Sequence, residues 1–205
     1  LCYETTDRYG QDKMREAIEE NVQFIRAVNA GQRPLLRATF GLHAPLTISS
    51  ATLDACLEAL DGLETGIHIH VSESTDDRKT LKKRGDGLPI EWLARHGGLN
   101  EKSIIVHAVH VEKSEIELLA ESGAWVTHQP RSNMNNAVGV AKTEKMLAAG
   151  IPVCLGNDGF SNSMWEEWRA AYLLHKIAHE DPRRMGGYDL VKMAVYNNAA
   201  LASAM

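Results

Sequence analysis

Residues able to do metal or acid–base chemistry recur along this 205-residue chain, each at the end of an apolar run. The densest stretch is Gly66-Ile67-His68-Ile69-His70-Val71-Ser72-Glu73. Side chains alternate along a strand, so Ile67, Ile69 and Val71 face one way and His68, His70 and Ser72 the other. Neutral imidazole binds Zn²⁺ well. A carboxylate three residues on, Glu73, can take a proton from a metal-bound water. Alone, the octapeptide reads more readily as a strand with hydrogen-bonded packing histidines.

Repetition changes the weighing. Five successive apolar runs end in His43, His70, His107, His128 and Asp158. If those runs are neighbouring parallel strands of a barrel, their C-terminal ends meet at one mouth. Four imidazoles and two carboxylates, Glu73 and Asp158, would then share a cavity. Taken singly, His43 could precede a turn, His107 could be packed, and Asp158 could cap a helix; all of these holding together by chance is the weaker reading.

The elements that must position these residues alternate. Residues 1–10 read as a strand end entering a polar loop. Met14, Ile18, Val22, Ile25 and Val28 form one helical stripe, stopped by Gly31. A strand over 35–42 precedes a helix capped by Ser49 and Ser50 and carrying Leu53, Cys56, Leu57 and Leu60. After the octapeptide come a charged segment, 75–83, and a helical face beginning with Ile90, Leu93 and Ala94. A strand over 104–110 leads to a short helix capped by Ser114. A strand over 124–128 leads to an Asn-rich loop over 130–139. A short helix over 143–149, a strand over 151–156, and helices over 165–179 and 189–205 complete the chain. The strands are nearly unbroken apolar runs, as expected when both faces are covered. This is an α/β pattern, either a doubly wound sheet or a (β/α)₈ barrel. No GxGxxG follows the first strand and no GxxxxGK[ST] occurs, which disfavours a nucleotide-binding sheet. No linker or low-complexity stretch divides 1–205.

Hydrophobic residues make up 44% and charged residues 24%, and the net charge is −5 with no basic cluster. That argues against nucleic-acid and anionic-membrane partners. Cys2, Cys56 and Cys154 form no CxxC pair and read as free thiols of a reducing, cytoplasmic compartment. No apolar run approaches the roughly 20 residues of a membrane span. A homo-oligomer is left open.

The ordered motifs His43-Ala44-Pro45, His70-Val71-Ser72-Glu73, His107-Ala108-Val109-His110, His128-Gln129-Pro130-Arg131-Ser132-Asn133 and Leu155-Gly156-Asn157-Asp158-Gly159 resemble the amidohydrolase superfamily. The likeness is to its branch of purine and cytosine deaminases and chlorohydrolases. Cys2-Tyr3-Glu4-Thr5-Thr6-Asp7-Arg8 and Ser132-Asn133-Met134-Asn135-Asn136 resemble its SsnA-type aminohydrolases. The resemblance implies part of a TIM-type (β/α)₈ barrel holding one divalent metal, usually zinc and sometimes iron. His70 matches the strand-five ligand and Asp158 the strand-eight ligand. The family's HxH of strand one has no counterpart, so residues 1–205 are expected to be strands four to eight of a longer protein, without the first strands or the flanking β-sandwich.

The resemblance further implies catalytic roles for Glu73, His107 and Asp158. Asp158 would accept the proton of the attacking water, Glu73 would carry it to the substrate ring, and His107 would hydrogen-bond the attacking oxygen. His43, Glu73, His128 and Asn133 are expected at the substrate; His68 and His110 are read as structural. The implied activity is hydrolysis of a non-peptide C–N bond, deaminating a small cyclic amidine or purine-like heterocycle. Hydrolytic dechlorination of a related ring and a metal-free scaffold barrel are the alternatives. Relatives acting on adenosine-like substrates with a carboxylate tail carry an Arg soon after strand three. Glu4 stands at that point and Arg8 is off register, which argues against such a tail.

Overall fold

The computed structural model describes residues 2–31 and 35–205; Leu1, part of the expected N-terminal strand end, lies outside them. Gln11–Asn29 form helix α1, which buries Ile25 and Val28 of the expected stripe. Strand β1 is Phe40–Leu42, shorter than the 35–42 expected. A 3₁₀ turn, Pro45–Thr47, leads to α2, Ser50–Leu60, whose N-cap Ser49 accepts a hydrogen bond from the Thr52 N–H. Strand β2, Ile67–Val71, precedes helices α3, Thr75–Arg84, and α4, Pro89–Arg95. Then follow β3, Ile104–His107; α5, Lys113–Ser122; β4, Trp125–His128; α6, Pro130–Asn135; α7, Thr143–Ala148; and β5, Val153–Leu155. The chain closes with α8, Met164–His179, α9, Gly187–Val191, a π turn over Lys192–Asn197, and α10, Asn198–Ala204.

Three local expectations change. Ser114 lies inside α5, whose start is held by Glu112 and Glu115 in a reciprocal capping box; the Ser114 hydroxyl donates to Glu91 instead. The expected loop at 130–139 opens with α6. The charged segment after β2 is helix α3, its acids in the first turn and bases in the last, as the helix dipole favours.

The five strands among the described residues are parallel and lie side by side in chain order. A doubly wound sheet needs a point where strand order reverses, and none occurs among them; this is the order of a (β/α)₈ barrel. The register sets Leu42, Ile69, Ile105, Val126 and Val153 at one level. These side chains are fully buried or nearly so and build the core beneath the helices. The N-terminal segment lies against β1 through a parallel bridge, Thr5 to Leu42. Gly41 permits that approach, since a Cβ there would come within 2.0 Å of the Tyr3 carbonyl oxygen. At the other end of the sheet, the side of β5 turned away from β4 is covered by side chains. Asn198 accepts from Leu155 N–H and donates to Leu155 C=O, both at 3.0 Å, and Asn197 donates to the Val153 carbonyl at 2.6 Å. Among the described residues no helix is long and apolar enough to cross a membrane.

Candidate active site

The strands deliver their polar residues to one mouth. A cavity of about 350 Å³ is lined by His43, His70, Glu73, His107 and Asp158, with Glu4, Arg8 and Asp77 on its wall. It adjoins a second space of about 420 Å³ deeper in the barrel, which shares Glu4, His70 and Asp158 and reaches His68, Thr127 and Gln129. The backbone breaks out of extended geometry at the ends of β2 and β3 and just past β5: φ is +53° at Ser72, +71° at His107, +49° at Ala108 and +45° at Asp158. These are left-handed conformations that side-chain-bearing residues adopt at a cost.

Each imidazole of the site has one nitrogen committed to a neighbour. The His70 Nδ1–H donates to the His43 carbonyl at 2.9 Å. The His107 Nδ1–H donates to Asn133 Oδ1 at 2.9 Å, and His107 N–H donates to Gln129 Oε1 at 3.1 Å. The His43 Nδ1–H donates to Thr47 Oγ1 at 2.7 Å, since the Thr47 hydroxyl itself donates to the Ala44 carbonyl. The Nε2 lone pairs of all three are thereby left free. His70 Nε2 lies 3.7 Å from Asp158 Oδ1. His107 Nε2 lies 3.6 Å from both Asp158 Oδ2 and Glu73 Oε2, and although buried it has no hydrogen-bond partner among the described residues. The carboxylates are held too: Ser132 donates to Asp158 Oδ2 at 2.6 Å and Asn136 to Glu73 Oε1 at 2.8 Å.

One donor atom each from His70, His107 and Asp158 falls within 4.8 Å of the others. Two ligands bonded at about 2 Å to one ion stand about 3–4 Å apart, so the spacing and the unpartnered His107 Nε2 both fit a divalent cation. Imidazoles oriented through their second nitrogen are the usual form of a metal ligand. Electrostatics agree. The adjacent His70 imidazole, 3.7 Å away, holds the Asp158 carboxyl down at about 2, against the opposing effect of burial and with help from the Ser132 hydroxyl. Burial works against the His70 cation, yet Asp158 and the His43 carbonyl together raise its pKa. Burial lowers His107 despite Glu73 nearby. Asp158 is therefore an anion facing a neutral His107.

Two expected substrate contacts need correction. His128 does not line the cavity: it is fully buried on the helix side of β4, its Nε2 3.3 Å from His175 Nε2 of α8. Asn133 sits behind His107 as its hydrogen-bond acceptor and does not reach the cavity wall. His68, read as structural, faces the barrel interior, where burial pushes it down to about 4. His110 donates to or accepts nothing in the site; its Nε2–H binds the Val138 carbonyl at 2.7 Å, a structural role. Arg8, expected off register, does reach the cavity beside Glu4.

Sequence reasoning missed Gln129, Ser132 and Asn136, which orient His107, Asp158 and Glu73. The signal available was the polar run around Pro130. Ser132 belongs to helix α6 and Gln129 and Asn136 flank its two ends, and Arg131 of the same helix anchors it to α8 through the buried carboxylate of Glu167.

The sequence model of the amidohydrolase family matches residues 2–203. A 5-methylthioadenosine/S-adenosylhomocysteine deaminase from Pelotomaculum thermopropionicum is 33% identical over 189 residues, covering 90% of this chain and 44% of the relative. A 5'-deoxyadenosine deaminase from Methanopyrus kandleri is 34% identical over 188 residues, covering 90% of this chain and 43% of the relative. The chain thus spans under half the length of these curated relatives. Among solved structures, an adenosine deaminase from Xanthomonas campestris with bound zinc superimposes with a TM-score of 0.84 at 23% identity, covering 98% of this chain and 47% of that one.

Proposed function

Because the chain belongs to the amidohydrolase family, a metal-dependent family of hydrolases, we propose that it carries strands four to eight of an aminohydrolase barrel that deaminates a purine-like ring. The observation that carries this reading is the convergence of His70 Nε2, His107 Nε2 and Asp158 on one point, with Glu73 beside them. His70 and Asp158 would hold the divalent ion, zinc on this reading. When bound, such an ion lowers the pKa of its water toward neutrality.

The chain's own residues do the rest. Asp158, ionised by its His70 contact, accepts the proton of the attacking water. His107, kept neutral by burial and aligned by Asn133, accepts a hydrogen bond from that water and fixes its approach. Glu73, steadied by Asn136, carries a proton to the ring nitrogen next to the carbon under attack. A C–O bond forms, the exocyclic C–N bond breaks, and a second proton transfer releases ammonia. His43 presents its free Nε2 to the substrate. A cavity of about 350 Å³ lies in the range that holds small heterocycles. The relatives named for adenine nucleosides favour a 6-aminopurine ring, and Arg8 on the wall supplies a cation for a polar or anionic substituent.

The test is ammonia release by the native protein over a panel of aminopurines, their nucleosides, pterins and other cyclic amidines. Turnover confined to 6-aminopurines bears the reading out. Chloride release from chlorinated triazines without any deamination overturns it.

A further inference from the structure

We propose a second divalent-cation site on the outside of the barrel, formed by Glu144 of α7 with His175 and His179 of α8. It is independent of the catalytic reading. His175 and His179 are four residues apart, so they project from the same face of α8; their rings are stacked, 6.2 Å between centroids and 27° between planes. One donor atom from each of the three residues lies within 4.8 Å of the others. A cleft of about 480 Å³ opens between α7 and α8 at this point.

The second observation is a buried, unpartnered nitrogen. His175 is 1% exposed, and its Nδ1 has no hydrogen-bond partner among the described residues. Its Nε2 meets His128 Nε2 at 3.3 Å. Two imidazole nitrogens this close need one proton between them. With that proton on His175, His128 is the acceptor and the His175 Nδ1 keeps a free lone pair. A ligating histidine whose other N–H is fixed by an acceptor is the usual arrangement at a metal. His128, which the catalytic cavity does not use, thereby gains a positioning role.

Glu144 is also oriented. Its Oε1 accepts from Met185 N–H at 3.0 Å, while Oε2 faces the Arg184 Nε at 3.5 Å. The Arg184 side chain is 42% exposed and can yield to an ion. Lys176 is drawn away from the site by the Arg184 and Met185 carbonyls and the ring of Tyr172. Two imidazoles and one carboxylate suit Zn²⁺, Co²⁺ or Ni²⁺ rather than Mg²⁺ or Ca²⁺. An ion there ties α7 to α8, the helices on either side of β5 in the chain.

The experiment strips the native full-length protein of metal and titrates it with Zn²⁺, reading bound zinc per chain and the melting temperature. The wild type is expected to bind one equivalent beyond the catalytic one. His179→Ala, a change at an exposed side chain, loses that equivalent and the melting rise that accompanies it. Glu144→Gln, which retains a carbonyl oxygen for the Met185 N–H, weakens the same equivalent. His70→Ala loses only the other. The proposal is overturned if His179→Ala binds as much zinc, as tightly, as the wild type, or if His70→Ala abolishes all zinc binding.

Discussion

Glu73 meets His107 and Asn136 and is not among His70, His107 and Asp158, whose donor atoms converge, so its loss should separate metal binding from chemistry. Glu73→Gln is expected to keep its metal and lose about 10²–10⁴ in kcat, the usual effect of removing a general acid or base. His70→Ala should lose metal and activity together, since a ligand is gone. Metal analysis beside ammonia release distinguishes the two; zinc loss in Glu73→Gln would make Glu73 a ligand. Asn133→Ala removes the acceptor that fixes the His107 tautomer, and a fall of about 10–100-fold in activity with KM little changed is expected, as for other outer partners. The histidines show what a sequence can and cannot convey. Polar ends on apolar runs disclosed His43, His70, His107 and Asp158. They misplaced His128, because parity alone does not decide where a strand-end residue points. His107 pairs with outward-facing Val71, yet a φ of +71° swings it into the mouth. His128 pairs with Leu155 without such a turn and stays against α8. Nothing in the letters marks that difference.

At the level of elements, the strands and the long helices follow from apolar periodicity, whereas α3 and α6 do not. Helix α3 is almost wholly polar, and only Leu81 and Asp77 are buried from it. Asp77 is what docks it: the carboxylate accepts from Ser72 N–H at 2.7 Å and Leu46 N–H at 3.2 Å, tying α3 to the end of β2 and the 3₁₀ turn. Asp77→Ala would strand the buried Ser72 N–H and the partly buried Leu46 N–H and should cost about 1–3 kcal/mol, read by urea unfolding. Burial raises the Asp77 pKa from 3.8 to about 6, against those two hydrogen bonds. The folded state thus holds this proton more tightly than the unfolded chain. The contribution of Asp77 to stability falls as pH rises from 3.8 to about 6 and is level above that. Comparing melts of wild type and Asp77→Asn between pH 4 and pH 7 checks it: the variant should lack that slope. Helix α6 was hidden by Pro130 and four asparagines and serines in a row of turn formers. Proline in the first turn of a helix is well tolerated, and here it starts one.

For the molecule as a whole, barrel order was legible because every strand was, while the handling of the sheet's ends was not. Asn198 standing in for a strand beside Leu155 is a contact between positions 43 residues apart that no local pattern announces. Even so, Trp165, Leu173, Ile177 and Tyr196 remain largely exposed on the last helices. The 205 residues expressed alone are therefore expected to associate or to bind a hydrophobic dye. A sharp, cooperative melt of a dye-free monomer would contradict this. The left-handed backbone at Ser72, His107, Ala108 and Asp158 bears on the molecule's future as well as its present. Each such residue costs about 1–2 kcal/mol relative to a relaxed conformation, in a fold whose net stability is of order 5–15 kcal/mol. A laboratory lineage selected for heat tolerance alone would gain by accepting glycine or asparagine at these places, as it would at Glu180 or Met185. Descendants that changed His107 or Asp158 would be hardy and inert, because at those two positions resistance to heat and the capacity to turn over a substrate make opposite demands on the same residue.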